Sequence, residues 1–366
     1  MLDIDLLASI LKKHNLNFCV GKPSMANSNI YNLFEHRFSL LQASSSIETL
    51  AISAGASLAG KLPIVVLDET TLLSSMNVFD RVIHPHNFSF LGFLVYSENE
   101  RNLMHRIDDD LLLHHIKTKK LDPHDALEEQ VEESLDYIQK TEKPFIWTLD
   151  KTKLLETPTK EISIHDTEMP LIIRNNKDKD RSDLTSIVKA LIKVIDQETA
   201  IFTADPYLEE SLLQTNTKYL YIDSADGHIA ALATGYALCK KKPTIVLDTA
   251  YSLLGSLSNM AFIGHYSPKH FLHIIIDDHK LAATGNQRSN TNSIDFGALG
   301  QSLSYPLSYS IDDINDFTKT IMIWLKKPES TLIHMRAKPS KTWSLDRDLA
   351  LPLKNKEHFL ENSQEE

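Results

Sequence analysis

Short apolar runs, bounded by Pro, Gly or Asp, alternate along the chain with stretches whose apolar residues recur at helical spacing. The runs are continuously apolar, which is typical of strands buried on both faces of a parallel sheet. They predict nine strands, at 17–20, 64–68, 89–97, 145–149, 200–203, 219–222, 244–247, 271–276 and 331–335. Because helical patterns separate these runs, we expect helical crossovers and parallel sheets.

Two helical patterns are the clearest. Apolar residues recur three and four positions apart through 184–195, after a possible cap at Ser182. A second stripe follows Asp122 and Pro123 and continues to Ile138, with glutamates on its other face. The polar segment 175–183 lies between the two regions and cannot bury enough apolar surface to order itself, so it is interpreted as a linker.

An internal repeat accompanies this pattern. Sliding the chain over itself by 180 positions aligns GASLAGKLPIVVLD at 55–68 with GYALCKKKPTIVLD at 235–248, without a gap and with seven of fourteen positions identical. Each copy is typical of a helix with small residues, a Lys-x-Pro stop and a strand that ends in Asp. A generic helix–turn–strand likeness is the alternative, but the ungapped identity favours two copies of one doubly wound α/β unit.

Composition narrows the class of protein. At 366 residues the chain is longer than one core usually supports, so two domains are expected. A formal charge of −11 without a basic cluster argues against nucleic acid. The acidic start predicts no export signal, and the longest apolar runs have only the length of a strand, which predicts no membrane span. The two distant cysteines are typical of a protein of the reducing cytoplasm.

These patterns together set the expected domain bounds. We expect a first domain at 1–160, a linker at 161–183 and a second domain at 184–348. The charged tail at 349–366 is expected to fray unless it docks on a partner.

Polar residues that follow the predicted strands mark where a ligand would bind, since ligands of doubly wound sheets lie at the carboxyl ends of the strands. Glu69 and Thr70 follow the first repeat copy, and Thr249 follows the second. The strand at 271–276 is followed by Asp277 and Asp278. Two adjacent acids are unfavourable unless solvent, a metal or a cationic ligand group neutralises them, and a solvated pair is an equally good interpretation.

A series of motifs in the second half carries a resemblance to a known family. The series is Gly227-His228, Ser252-Leu-Leu254, Ala261-Phe-Ile-Gly264, Thr284-Gly-Asn-Gln287 and Asp295-Phe-Gly297. Together these motifs resemble the phosphonopyruvate and sulfopyruvate decarboxylases of the thiamine-diphosphate family. The resemblance implies two homologous doubly wound domains, a pyrimidine-binding type and a diphosphate-binding type, with no third domain, which agrees with the repeat.

The metal motif of that family is altered here. Relatives hold magnesium and the diphosphate with a GDG motif that closes on a double Asn. Thr249, Ala250 and Tyr251 align with GDG, while Asp277 and Asp278 align with the two Asn residues. A methyl group cannot ligate a cation that takes oxygen ligands, and extra acids repel a diphosphate. We therefore expect no metal, with Asp278 as the one candidate ligand.

Two further cofactor contacts are altered. The family glutamate that hydrogen-bonds the aminopyrimidine aligns with Ser46, and Glu48 lies two residues further on. On a helix that spacing rotates the side chain by about 200°, although a local shift would bring Glu48 back. The apolar residue that bends the cofactor aligns with Asp226. From these departures we expect that neither thiamine diphosphate nor Mg²⁺ is bound.

Three hypotheses of function follow from the resemblance and its departures. The first is a phosphonopyruvate-decarboxylase-like protein repurposed for another small ligand or for a cofactor-independent reaction, with Glu48, His228 and Asp278 as catalytic residues. The second is an active thiamine-diphosphate-dependent lyase that decarboxylates a small anionic 2-oxoacid at an atypical site. The third is a non-catalytic subunit that pairs with an intact homologue.

The resemblance also implies how the site is assembled. It implies a homodimer or a dimer of dimers, with a cleft between the pyrimidine-type half of one chain and the diphosphate-type half of another, and a small anionic ligand. The residues expected to line the cleft are Ser46, Glu69, Thr70, Thr203, Asp226, Gly227, Thr249, Ala250, Tyr251, Asp277, Gln287 and Arg288.

Overall fold

The computed structural model describes residues 2–68, 72–96, 109, 111–122, 125–159, 170–175, 181–213, 215–223, 225, 227–281, 287–339 and 351–361. The chain divides into two compact units, Met1–Asp166 and Thr167–Glu366. Each unit is built around one parallel sheet.

The first unit holds a six-stranded parallel sheet in the order β2-β1-β3-β4-β6-β5. Its strands are β1 Phe18–Gly21, β2 Ser39–Gln42, β3 Ile64–Asp68, β4 Leu91–Tyr96, β5 Lys117–Lys120 and β6 Phe145–Asp150. Its longer helices are α1 Ile4–Lys13, α2 Ser28–Arg37, α3 Ser46–Leu58 and α4 Leu127–Thr141. Short helical turns occupy Leu73–Ser75, Met76–Val78, Phe79–Ile83 and Lys151–Lys153.

Amphipathic helices and buried strands form the core of this unit. Helix α1 begins at an Asp3 cap whose carboxylate accepts from the Leu6 amide, and it buries Leu7 and Leu11. It packs with α2 and α4 against one face of β1, β3, β4 and β6. Helix α3 is buried around most of its surface, as its small residues predict.

The second unit holds a seven-stranded parallel sheet in the order β7-β14-β15-β11-β10-β8-β9. Its strands are β7 Leu171–Asn175, β8 Ala200–Thr203, β9 Tyr219–Tyr221, β10 Thr244–Thr249, β11 Phe271–Asp277, β14 Leu307–Ile311 and β15 Thr331–Arg336. An antiparallel ribbon is formed by β12 Lys280–Leu281 and β13 Gln287–Arg288. The helices are α5 Leu184–Ile192, α6 Pro206–Leu213, α7 Ile229–Cys239, α8 Ala250–Leu254, α9 Ser258–Tyr266, α10 Phe296–Ser302, α11 Ile314–Lys326 and α12 Pro352–Glu361.

The predicted fold class, two doubly wound parallel-sheet α/β domains, is confirmed. All nine predicted strands are present, with ends shifted by one or two residues. The two repeat copies have the same structure, because α3 leads into β3 as α7 leads into β10. Both strands lie in the interior of their sheets.

The structure corrects the expected linker and tail. Residues 171–175, inside the predicted linker 161–183, form edge strand β7 and pair with β14. The predicted tail at 349–366 contains α12, which does not fray: its Asn355 side chain donates to the Tyr221 carbonyl at 2.6 Å, and Phe359 is fully buried. Helix α5 is capped by Asp183 rather than Ser182. The remaining domain bounds stay predictions.

Within the ranges given above, the protein has no helix whose length and apolar character would let it cross a lipid bilayer.

Candidate functional site

Three strands of the second sheet end side by side at one edge. Register places Thr203 of β8 beside Leu247 of β10, and Thr249 of β10 beside Ile276 of β11. Asp277 is the last residue of β11 and pairs with Arg336 of β15. The structure therefore brings Thr203, Thr249 and Asp277 to the same edge, the one at which doubly wound sheets bind ligands.

Gly227 forms a tightly held turn at the start of α7. Its φ is +73°, in the left-handed region that favours glycine. Its amide donates to Ser252 Oγ at 2.8 Å, and its carbonyl accepts from Ser256 Oγ and Asn259 Nδ2. A Cβ at this position would collide with Ser256 Oγ, so only glycine fits the turn.

His228 is the N-cap residue of α7, and no side chain caps the helix there. Burial lowers the pKa of His228, with Asp248 acting in the opposite direction, so the imidazole is neutral near pH 7. Its Nδ1 is buried and has no hydrogen-bond partner among the described residues. The amides of His228 and Ile229 donate to the Ala225 carbonyl, at 2.8 and 3.1 Å, so the group at this turn that a ligand could engage is the His228 imidazole.

The segment after β10 begins a one-turn helix. Thr249 caps α8 by accepting from the Ser252 amide at 3.4 Å. Ala250 is buried, whereas the Tyr251 side chain is 47% exposed. Asp248 is buried, with Oδ1 accepting from the Thr249 amide and Oδ2 lying 3.8 Å from His273 Nε2.

The two acids after β11 have different surroundings. Asp277 Oδ1 accepts from Thr291 Oγ1 at 2.8 Å and from the His279 amide at 3.1 Å. Burial opposes the ionisation of Asp277, but His334, Thr291 and His279 together lower its pKa below the ordinary value. Asp278 Oδ1 accepts from the Lys280 amide at 3.1 Å. Asp277 is therefore a structural acid, and Asp278 remains the better candidate ligand of the two.

A third acid at this edge escaped the sequence analysis. Asp205 follows β8 and caps α6 through the amides of Tyr207 and Leu208. Burial raises the pKa of Asp205 to about 6, and the negative charges of Asp278 and Asp248 add to that rise. The negative charge of the carboxylates at this edge is therefore only partly neutralised by the protein, which favours binding of a cationic ligand group or a divalent ion.

Gln287 and Arg288 lie on the ribbon that follows Asp278. Arg288 pairs with Lys280 across the ribbon, and both Gln287 and Arg288 are exposed. The ribbon places an exposed guanidinium in β13, within a dozen residues of the acid pair in sequence.

In the first unit, Ser46 and Glu48 lie at the start of α3. Ser45 Oγ accepts from the Glu48 amide, and Glu48 Oε2 accepts from the Ser44 amide at 2.5 Å, which resembles a capping box. Glu48 is fully buried, its Oε1 has no partner among the described residues, and burial raises its pKa although Ser44 opposes the rise. Ser46 is buried as well.

Three expected site residues, Glu69, Thr70 and Asp226, lie outside the described residues, as do residues 284–286 of the motif that ends at Gln287.

Sequence comparison finds relatives but no matching family profile. No protein-family profile matches the chain. A phosphonopyruvate decarboxylase of Streptomyces viridochromogenes is 22% identical over 318 residues, which cover 83% of this chain and 80% of that protein. A sulfopyruvate decarboxylase subunit beta of Methanothermobacter thermautotrophicus is 24% identical over 129 residues, 35% of this chain and 70% of that subunit.

Structure comparison agrees with these relatives. The thiamine diphosphate-dependent 4-hydroxybenzoylformate decarboxylase of Rhodococcus jostii matches with a TM-score of 0.72 at 10% identity, over 93% of this chain and 100% of that chain. The chain is related to the thiamine-diphosphate-dependent decarboxylases. The predicted resemblance is thereby confirmed.

These comparisons correct the expectation that a thiamine-diphosphate-type chain with altered motifs takes no cofactor. A protein that shares the fold over nine-tenths of the chain is named as thiamine diphosphate-dependent, and the curated relatives are decarboxylases. The expectation of no cofactor is therefore wrong, because it rested on three substituted side chains alone.

Two features of the described residues fit thiamine diphosphate. The start of α7 presents the positive end of a helix dipole, which suits a diphosphate. The orphaned Oε1 of Glu48 suits a pyrimidine nitrogen. The metal ligands fit only in part, since Asp278 supplies a carboxylate and Ala250 supplies nothing. Among the described side chains, the one converging trio of possible ligands is His14, Glu128 and Glu132 in the first unit.

Proposed function

We propose that the chain is a thiamine-diphosphate-dependent carboxy-lyase acting on a small anionic 2-oxoacid. Glu48 is the observation that carries the proposal. A fully buried carboxyl group with one unpartnered oxygen is unfavourable without a ligand. It lies two residues from Ser46, the position at which the resemblance expects the glutamate that contacts the aminopyrimidine.

The chain's own residues have distinct roles in this proposal. When bound, thiamine diphosphate supplies the thiazolium carbon on which the carbanion of decarboxylation is stabilised. Glu48 holds a proton at Oε1, which its raised pKa favours. Neutral His228 offers Nδ1 to the substrate as a donor or an acceptor, according to its tautomer.

In this proposal, residues of the second unit bind the diphosphate and its cation. The positive end of the α7 dipole would attract the diphosphate, and Asp278 would ligate the divalent cation. Arg288 is the exposed cation suited to the anionic group of the substrate, in the manner of a phosphonate or a sulfonate.

We also propose a homodimer, in which Glu48 of one copy and the second unit of another copy share one cofactor. The support is the arrangement implied by the resemblance. Native mass spectrometry reports the number of chains and any bound cofactor in one measurement, and a monomeric mass would contradict this part of the proposal.

Decarboxylation assays test the function. Protein dialysed against EDTA is assayed for carbon dioxide release from phosphonopyruvate, sulfopyruvate and pyruvate, with and without added thiamine diphosphate and Mg²⁺. We expect release from at least one substrate that depends on the added cofactor. Release without cofactor, or none from any substrate, contradicts the proposal.

A non-catalytic subunit is the second candidate, and Ala250 favours it because it removes a metal ligand. Under this alternative the chain alone releases no carbon dioxide and gains activity when an intact homologue is co-expressed with it.

A further inference from the structure

A polar network crosses the second sheet from edge strand β7 to the acid pair. Arg174 on β7 donates from Nε to Asp295 Oδ2 at 3.1 Å. His334 on β15 lies between two carboxylates, with Nδ1 3.7 Å from Asp295 Oδ1 and Nε2 3.6 Å from Asp277 Oδ2. The network thus links an exposed guanidinium on β7 to the last residue of β11.

His334 is enclosed on every side. It is 0% exposed, and the Phe296 ring meets it edge-on with centroids 5.3 Å apart. Neither ring nitrogen has a closer hydrogen-bond partner among the described residues. The fully buried imidazole is therefore the polar group that faces both carboxylates, at 3.6 Å from Asp277 and 3.7 Å from Asp295.

Both oxygens of Asp277 are held by the protein. Oδ1 is engaged by Thr291 and the His279 amide, and Oδ2 faces His334. On a strand alternate side chains share a face, so Asp277 lies on the same face as His273, opposite the apolar cluster that contains Ile274 and Ile276. The Asp277 carboxylate therefore lies toward the neighbouring strand β15.

We propose that His334 is a positioning residue for the cofactor site. It holds Asp277 against β15, so that the acid pair presents one carboxylate, Asp278, to the cation and the diphosphate instead of two. This matters because Ala250 has removed one ligand of the cation that would otherwise screen a second acid. The inference rests on the proposed function.

A charge-rescue experiment tests the inference. Binding of thiamine diphosphate with Mg²⁺ is measured by calorimetry for the wild type, His334→Gln, Asp277→Asn and the double variant. We expect His334→Gln to weaken binding by about tenfold, because it leaves the Asp277 carboxylate able to turn toward the diphosphate and repel it. The double variant should recover to within about threefold of the wild type, since the amide introduced by Asp277→Asn carries no charge that repels the diphosphate.

A matched control separates positioning from stability. His86 is also buried, in the first unit, where its Nδ1 lies 2.9 Å from the Val82 carbonyl. His86→Gln should change the unfolding free energy but leave cofactor affinity unchanged. The inference would be overturned if His334→Gln bound the cofactor with wild-type affinity, or if the double variant bound it no more tightly than His334→Gln does.

Failure of the proposed function gives a different result. In that case the wild type binds no thiamine diphosphate, and the same four proteins are compared by urea unfolding. If the effects of the two substitutions on the unfolding free energy are strongly coupled, His334 and Asp277 interact as a structural pair but have no role in cofactor binding. If the two effects are additive, the interaction between His334 and Asp277 is itself contradicted.

Discussion

The Gly227 amide donates a 2.8 Å hydrogen bond to the Ser252 hydroxyl, and this bond joins the turn before α7 to the helix that follows β10. Ser256 and Asn259 hold the carbonyl of the same glycine. The two segments that a diphosphate would contact are therefore fixed to one another. This fixed geometry is retained although the metal-binding aspartate has become Ala250.

Gly227→Ala should disrupt the turn and the cofactor site together. An alanine at positive φ costs about 1–2 kcal/mol, and here its Cβ also collides with Ser256. We expect a lower unfolding free energy and at least tenfold weaker binding of thiamine diphosphate by calorimetry. Gly60→Ala is the control, because Gly60 has φ +81° but open space around it. Equal losses of affinity in both variants would count against the turn's role.

Glu48→Gln should reduce activity without unfolding the first unit. The glutamine carbonyl can still accept from the Ser44 amide, but it cannot hold an acidic proton, and general acid–base groups contribute about 10²- to 10⁴-fold to rate. We expect kcat to fall within that range while cofactor affinity changes little. Glu129→Gln, an exposed glutamate in the first turn of α4, should retain full activity. An active Glu48→Gln enzyme would assign the proton to another group.

Asp205→Asn should flatten the pH dependence of stability. The pKa of Asp205 is about 6 in the folded protein against 3.8 for the free group, so the folded state binds the proton more tightly. Its contribution is present below pH 4 and is lost as pH rises through 6, by at most about 3 kcal/mol. Urea unfolding between pH 4 and 7 measures the difference between variant and wild type.

Asp183→Asn is a control of opposite sign for that experiment. The pKa of Asp183 is lowered: burial opposes the shift, while Ser186 and Lys338 outweigh it. Its stabilisation is therefore present at neutral pH and lost as pH falls. The same slope in both variants would contradict the assignment for Asp205.

Phe359→Ala should destabilise the second unit. Phe359 is fully buried against Phe202 and Tyr236, with Lys218 Nζ 4.6 Å from its ring centroid. Truncating a buried phenylalanine typically costs about 3–5 kcal/mol. Leu353→Ala changes an exposed residue of the same helix and should cost far less. Similar unfolding midpoints for the two variants would show that α12 does not cover β9.

The sequence predicted every interior strand except β14, together with edge strand β9, and missed the edge strands β2, β5 and β7. Strands such as β4 and β11 are buried on both faces and are unbroken apolar runs in the sequence. The edge strands β2, β5 and β7 are mostly exposed or half-buried and carry polar residues, so no apolar run marks them. For this reason the residues of β7 were predicted as part of the linker.

The site was predicted where motifs are local and missed where it depends on distant contacts. Gly227, His228 and Asp278 were found because a resemblance marks them in sequence. Arg174, Asp295 and His334 are up to 160 positions apart and meet only when β7, β14, β15 and β11 align. The one sequence signal was a histidine within a buried strand, which is more often a core residue.

Calorimetric titration of thiamine diphosphate into purified wild-type protein in Mg²⁺ shows whether the protein binds this cofactor. We expect saturable binding of one molecule per chain, greatly weakened in Gly227→Ala. A wild-type titration that shows no binding heat at any temperature tried, with no cofactor retained in native mass spectrometry, would contradict it.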